Sequence, residues 1–150
     1  IGFLLIGRGT KFKYIKQLAI NKGLNNILFH QEISNNQLKY LYQQCFCGLI
    51  TLDERHKTHN IPGKLLSYLY YGLPVLAIIN SGNDLIEFIN KNKIGYATDN
   101  YNQTFLKEKI IELIKYLEEN KNLKYQCQKV ANNNFNAVTI SKQIIKSFSL

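Results

Sequence analysis

The apolar positions of the chain switch repeatedly between two patterns. Short continuous runs read as buried strands: FLLIG at 3–7, Asn26 to Phe29, CGLITL at 47–52, VLAII at 75–79, and a brief last one at Tyr96 and Ala97. Between them, apolar residues recur every three or four positions. Phe12, Ile15, Leu18 and Ala19 form one such set, and Leu38, Leu41 and Tyr42 a second. Leu65, Leu66, Leu69 and Tyr70 predict one buried helical face, and Leu85, Ile86 and Ile89 another. From Asn102 onward the pattern is helical throughout. Leu106, Ile110, Leu113, Ile114 and Leu117 mark a long amphipathic helix, and Leu123 to Phe135 a weaker one. A last helix is expected to turn Ile140, Ile144, Ile145 and Phe148 inward. Strands alternating with helices predict an α/β fold: a Rossmann-like, doubly wound parallel sheet followed by a C-terminal helical tail.

Punctuation supports this reading. Thr10 is placed to cap the first helix and Gly23 to close it. Ser34 followed by Gln37 resembles a capping box. Pro62 suits the first turn of the next helix, where its missing N–H costs nothing. Gly72 can end that helix in a left-handed conformation, and Pro74 prevents it from restarting. Gly95 is the expected stop of the fourth helix, and Thr139 the expected cap of the last.

The length of 150 residues fits one domain, with a sheet core over about 1–98 and a helical tail over about 102–150. Ile1 opens directly on a strand-like run, so a piece of a longer chain is expected. No apolar run reaches membrane-spanning length, and no secretory signal is visible. Cys45, Cys47 and Cys127 make neither an even disulfide framework nor a zinc spacing, and read as thiols of a reducing cytoplasm. The net charge of +9 admits nucleic acid, an anionic membrane surface or an anionic small substrate as partners. The lysines are scattered, no two Lys or Arg residues are adjacent, and the only arginines are Arg8 and Arg55. That distribution argues against nucleic acid, and the lysines also suit plain solvated helix faces.

In an open parallel sheet, ligands bind at the carboxyl ends of the strands. The loops there are Gly7–Thr10, Asp53–Pro62 and Asn80–Asp84. Gly7-Arg8-Gly9 is not a dinucleotide fingerprint, because Phe12 holds the third glycine position; it places Arg8 near a nucleotide or is a plain turn. The second loop gathers Asp53, Glu54, Arg55, His56, Lys57 and His59 ahead of Lys64. His56 and His59 have no evident third ligand, so no metal site is expected. Anion binding by Lys64, Arg55 and the backbone of a helix start suits the loop better, and a solvated polar loop is the bland alternative. Ser81-Gly82-Asn83-Asp84 offers close backbone approach to a diphosphate or a sugar, or a capped turn. Nothing in the sequence supports nucleophilic catalysis.

The stretch IPGKLLSYLYYGLPVLAIINSGNDLIEFINKNKIGY resembles the nucleotide-sugar half of family-4 glycosyltransferases of the GT-B fold. It is most similar to the bacterial surface-polysaccharide branch with the aminosugar transferases of O-antigen synthesis. The matching positions are Pro62, Lys64, Tyr68, Gly72, Pro74, Val75 and Gly82. Upstream, FLLIGRG, GLNNILFHQEI and LKYLYQQCFCGLITL resemble successive segments of the same domain in order. The resemblance implies transfer of a sugar from a nucleotide diphosphate, usually with retention of configuration, and without metal or cofactor. It implies a glycan or lipid-linked acceptor and a cytoplasmic enzyme at the inner leaflet, where the positive charge would meet anionic lipid.

The resemblance also implies a substrate-binding set: Arg8, Glu54, His59, Pro62, Gly63, Lys64, Ser67, Ser81, Gly82, Asn83 and Asp84. Two departures qualify it. Many members carry two glutamates eight positions apart; here those positions are His59 and Ser67, so the ribose contact must differ or pass to another group such as Glu54. The domain's first strand with its basic loop, and the N-terminal acceptor domain, are expected to lie outside the sequence, which alone would be inactive. A non-catalytic nucleotide-binding module and a UDP-sugar 2-epimerase-like enzyme are the alternative readings.

Overall fold

The computed structural model describes residues 1–57 and 60–148. The chain falls into two compact units, Ile1–Tyr40 and Leu41–Leu150. In the first, β1 (Phe3–Ile6) and β2 (Ile27–His30) pair in parallel, Phe3 opposite Ile27 and Ile6 opposite His30. The helix α1 (Phe12–Asn21) connects them. Lys11 occupies its N-cap position without a side-chain cap, and the Phe12 N–H donates to the Gly9 carbonyl at 3.1 Å. Thr10 therefore does not cap this helix: the Gly9 carbonyl closes the turn and starts it two residues past the threonine. Gly23 closes it as expected, in the left-handed region at φ 65°. The Gly23 and Leu24 N–H groups satisfy the Ile20 and Ala19 carbonyls.

Helix α2 (Asn35–Gln44) begins with the expected capping box. The Ser34 N–H and hydroxyl both donate to Gln37 Oε1, at 3.0 and 2.8 Å. In the second unit, β3 (Gly48–Thr51), β4 (Val75–Ile78) and β5 (Gly95–Thr98) form a parallel sheet with β4 in the middle. Helices α3 (Gly63–Tyr70) and α4 (Leu85–Lys91) make the two crossovers. A central strand of a parallel sheet is covered on both faces, which is why it reads as one apolar run. Val75, Leu76, Ala77 and Ile79 are all buried.

The tail comprises α5 (Gln103–Glu119), α6 (Leu123–Phe135) and α7 (Ala137–Phe148). Asn102 caps α5 by accepting the Phe105 N–H at 3.1 Å. Leu123, Cys127, Val130 and Ala131 line one face of α6 and join the core with Leu65 and Leu69 of α3. This makes α6 part of the second unit's core. The three cysteines are free. Burial pushes the Cys47 and Cys127 thiols up to about 12 and raises that of Cys45.

Five further expectations need correction. Pro62 is the N-cap of α3 rather than its first helical residue. Its ψ of 133° is extended, and the helix starts at Gly63. On α3 only Leu65 and Leu69 are fully buried, while Leu66 is 40% and Tyr70 65% exposed. The i, i+4 pair points at the core, and the residue after each lies about 100° round the helix. Gly95 does not stop α4. The left-handed position there is Lys93, at φ 52°, and the Lys93 and Ile94 N–H groups close the helix on Asn90 and Ile89. Gly95 instead opens β5, with φ 149°, where an added Cβ would run into the Val75 carbonyl. Finally, Asn136 caps α7, its Oδ1 accepting the Val138 and Thr139 N–H groups at 2.9 and 3.3 Å. Thr139 lies inside the helix, and Ile140, Ile144, Ile145 and Phe148 all face outward, Phe148 being 83% exposed.

Candidate functional site

The carboxyl ends of β3, β4 and β5 lie side by side in the second unit, and each runs into a polar loop. After β3, the chain turns at Asp53–His56, the His56 N–H donating to the Asp53 carbonyl at 2.9 Å. The Asp53 carboxylate grips Arg55 three times. It accepts from the Arg55 backbone N–H at 2.9 Å, from Nε at 2.8 Å and from Nη2 at 2.6 Å. These hydrogen bonds hold the Asp53 carboxyl far below the usual carboxylate range and raise the guanidinium in turn. Arg55 is thus already engaged within its own loop. His56 Nε2 lies 3.3 Å from Asn60 Oδ1. Glu54 is exposed on the same turn, and His59 lies outside the described residues.

The loop ends at the start of α3. Pro62 has no side-chain oxygen to cap the helix, and Gly63 and Lys64 are exposed at its first turn. A Cβ at Gly63 would meet nothing within 4 Å, so the backbone there is open to approach. Among the described residues no carboxylate pairs with Lys64. Ser67, one turn on, points its hydroxyl back at the Gly63 carbonyl at 3.5 Å, a bond of marginal length.

After β4, Asn80 and Asn83 are buried, at 2% and 5% exposure. Asn83 Nδ2 donates to Asn80 Oδ1 at 3.2 Å, and Asn83 Oδ1 accepts the Leu85 N–H at 3.1 Å. Asn83 therefore anchors the loop to the sheet and also supplies the acceptor at the start of α4. Asp84, at the N-cap position, makes no cap bond and is exposed. Ser81 and Gly82 form the exposed tip. Gly82 adopts φ 74°, with open space around its Cα.

After β5, Thr98 Oγ1 accepts the Asn100 N–H at 3.0 Å and Asn100 Oδ1 accepts the Asn102 N–H at 2.9 Å. The Tyr101 hydroxyl then donates to the Leu52 carbonyl at 2.8 Å, crossing the carboxyl edge from β5 to β3. Burial, followed by the carboxylates of Glu54, Asp53 and Asp99, pushes the Tyr101 phenol upward.

The structure brings Glu54, Pro62, Gly63, Lys64, Ser67, Ser81, Gly82, Asn83 and Asp84 onto two neighbouring strand-to-helix connections of the second unit. Arg8 belongs to the first unit, where Arg8 Nε pairs with Glu32 at 2.9 Å on an exposed surface. Sequence reasoning passed over Asn80 as a buried anchor and Tyr101 as a clasp. An asparagine directly after an apolar strand was the available signal for the first. Nothing local marks the second, because its partner lies 49 positions away. Among the described residues, the edge offers the exposed backbone at the α3 start, Lys64 without a carboxylate partner, and a glycine tip on a loop fixed from below.

Comparison with solved structures finds the same fold in a structure described as "Crystal structure of GtfA/B complex". The TM-score is 0.64 at 17% identity, over 98% of this chain and 29% of that one. The chain thus spans under a third of the length of that neighbour. A comparison with curated proteins finds no match. The sequence profile described as "Glycosyl transferases group 1" matches residues 1–130, and the chain accordingly belongs to the group 1 glycosyl transferases, of GT-B type.

Proposed function

We propose that the chain is the donor-binding half of a GT-B glycosyltransferase. It takes a nucleotide-diphosphate sugar, UDP-linked, and serves transfer of a hexosyl or acetamidohexosyl group with retention to a glycan or lipid-linked acceptor. The setting is surface-polysaccharide synthesis, in the O-antigen aminosugar branch, on the cytoplasmic side of the inner membrane. Family membership supports sugar transfer. The observation that supports this site is the open start of α3 at the carboxyl end of the sheet, where Gly63 has free space and Lys64, among the described residues, no carboxylate partner.

On this reading the diphosphate sits against the Gly63 and Lys64 backbone, with the Lys64 ammonium on the phosphate oxygens. Negative charge grows on the leaving diphosphate as the glycosidic bond breaks, so fixed N–H dipoles and a cation there lower the barrier. The Ser81–Gly82 tip contributes close backbone approach to the sugar or the second phosphate. Arg55 contributes little, being held by Asp53. Ser67, and not a carboxylate, faces the ribose, and Glu54 is the acidic group left to hold its hydroxyls.

The test is calorimetric titration of the chain with UDP, UDP-N-acetylglucosamine and GDP. Saturable UDP binding that Lys64→Ala weakens supports the reading. No binding of any nucleotide at millimolar concentration overturns it.

A further inference from the structure

The turn that carries Glu54 is fixed at its root from across the sheet. Leu52, the first residue past β3, is tied at both of its backbone groups. Its N–H donates to the Ile78 carbonyl at the end of β4, at 3.0 Å. Its carbonyl accepts the Tyr101 hydroxyl at 2.8 Å. Asp53 comes next and opens the turn. The turn is braced internally, by the His56 N–H on the Asp53 carbonyl and by three bonds from Arg55 to the Asp53 carboxylate. A turn braced in this way moves as a body about its root, so whatever fixes the Leu52 carbonyl also fixes where Glu54 stands. Tyr101 is a firm anchor because its own stretch is locked. Thr98 Oγ1 accepts the Asn100 N–H, Asn100 Oδ1 the Asn102 N–H, and Asn102 Oδ1 the Phe105 N–H. That relay runs from the buried Thr98 at the end of β5 into the first turn of α5, so sheet and helix carry the phenol together. Burial, and next the Glu54 carboxylate, push the phenol upward, which makes the two side chains near neighbours.

We propose that Tyr101 is a positioning residue for donor binding: by holding the Leu52 carbonyl it sets the Asp53–His56 turn so that the Glu54 carboxylate meets the ribose hydroxyls. It acts through the backbone of Leu52 and not on the nucleotide itself. This role rests on the donor-site reading above and adds how the ribose end is held. The phosphate end has its own support. Gly63 and Lys64 belong to α3, whose first turn is closed by the Leu65 N–H on the Pro62 carbonyl at 2.9 Å. The two ends of the donor are thus served by separately anchored pieces of chain, and a change at Tyr101 reaches only one of them.

The experiment is calorimetric titration of the chain and of Tyr101→Phe with UDP and with inorganic pyrophosphate, which has no ribose. Phenylalanine keeps the ring and removes only the donor. UDP affinity should fall about 3–10-fold, the worth of one neutral hydrogen bond when the freed turn must be ordered on binding. Pyrophosphate affinity should be unchanged, because the α3 start is untouched. In a Glu54→Gln background the further loss of UDP affinity on Tyr101→Phe should vanish, the mark of two residues acting as one unit. A side chain that only stabilised the fold would lower the thermal midpoint and either spare both ligands or weaken both together. Asn100→Ala loosens the stretch under Tyr101 at an exposed position and should give a smaller loss with the same selectivity for UDP; it decides the matter where Tyr101→Phe does not fold. Unchanged UDP affinity in the variant that folds, equal losses for the two ligands, or a Tyr101→Phe effect undiminished by Glu54→Gln would overturn the proposal. A wild-type chain that binds no UDP would mean that the donor-site reading itself has failed, and the role of Tyr101 falls with it. If Lys64→Ala weakens UDP binding while Tyr101→Phe does not, only the Tyr101 assignment fails.

Discussion

Asn83→Ala is the most informative single substitution at the carboxyl edge. The side chain is buried and makes two bonds, one to Asn80 Oδ1 at 3.2 Å and one from the Leu85 N–H at 3.1 Å. Truncation leaves the Asn80 oxygen and the Leu85 N–H without those partners in a buried setting. Each orphaned group costs about 1–3 kcal/mol, and the second loss overlaps with removal of a helix cap, worth about 1 kcal/mol. Relaxation toward solvent at the loop tip recovers part, so a total of about 2–4 kcal/mol is expected. Asp84→Ala, at the formal N-cap position but exposed and without a cap bond, should cost under about 0.5 kcal/mol. Urea unfolding followed by far-UV circular dichroism measures both. With a slope of about 2 kcal/mol/M, the Asn83 variant should shift the midpoint by about 1–2 M and the Asp84 variant by less than about 0.3 M. The reverse order would refute the assignment of Asn83 as anchor and cap. An Asn83 variant unfolding with the wild type would show that the amide's bonds carry no net stabilisation.

Lys64→Ala should weaken UDP binding by roughly 5–30-fold, as befits a charge pair at a screened surface, and the loss should shrink with added salt in calorimetry. Arg55→Ala should change the same affinity less than about twofold, because Asp53 already holds the guanidinium. Gly95→Ala should destabilise by several kcal/mol or prevent folding, read by thermal melting, since its Cβ would strike the Val75 backbone. The folded Cys47 and Cys127 pKa values of about 12 lie above those of the unfolded thiols. The native state therefore keeps its protons longer, and the stability linked to them is intact at neutral pH and falls as pH rises from about 9 toward about 12. Melting temperatures across that range, compared with a Cys47→Ala, Cys127→Ala variant, read the effect; a parallel pH profile for the two proteins would contradict it.

The architecture is legible because the alternation of short apolar runs with helical periodicity marks each element, and some ends carry a second signal. The box at Ser34 and Gln37 and the stop at Gly72 follow directly from residue chemistry within one turn. The errors share a cause. Periodicity reports that a helix has an apolar side, and only neighbours decide how much of it is covered. Leu66 and Tyr70 on α3 and the apolar side of α7 look inward on that ground, yet are exposed. Gly95 was read as a helix stop because local reasoning sees a glycine after a helix, while its reason for being glycine is the backbone of Val75 on the next strand. Lys93 in a left-handed conformation is the least foreseeable, since nothing about a lysine advertises it. At the site, the open start of α3 is visible from Pro62, Gly63 and Lys64. The pairing that removes Arg55 was not, because it depends on the shape of the Asp53 turn.

The bond from the Tyr101 hydroxyl to the Leu52 carbonyl also bears on the order of assembly. Its two ends are 49 positions apart, and both must be delivered by a sheet whose three strands are already in register. Contacts of such long sequence separation form late, after the chain entropy of closing the intervening segment has been met. The bond across the rim that would receive a ligand thus forms only on a sheet already in register beneath it. Hydrogen exchange should find the amides around Leu52 and Tyr101 exchanging through small openings well before those of β4. A bound ligand spanning the rim would slow that exchange without altering the strands beneath.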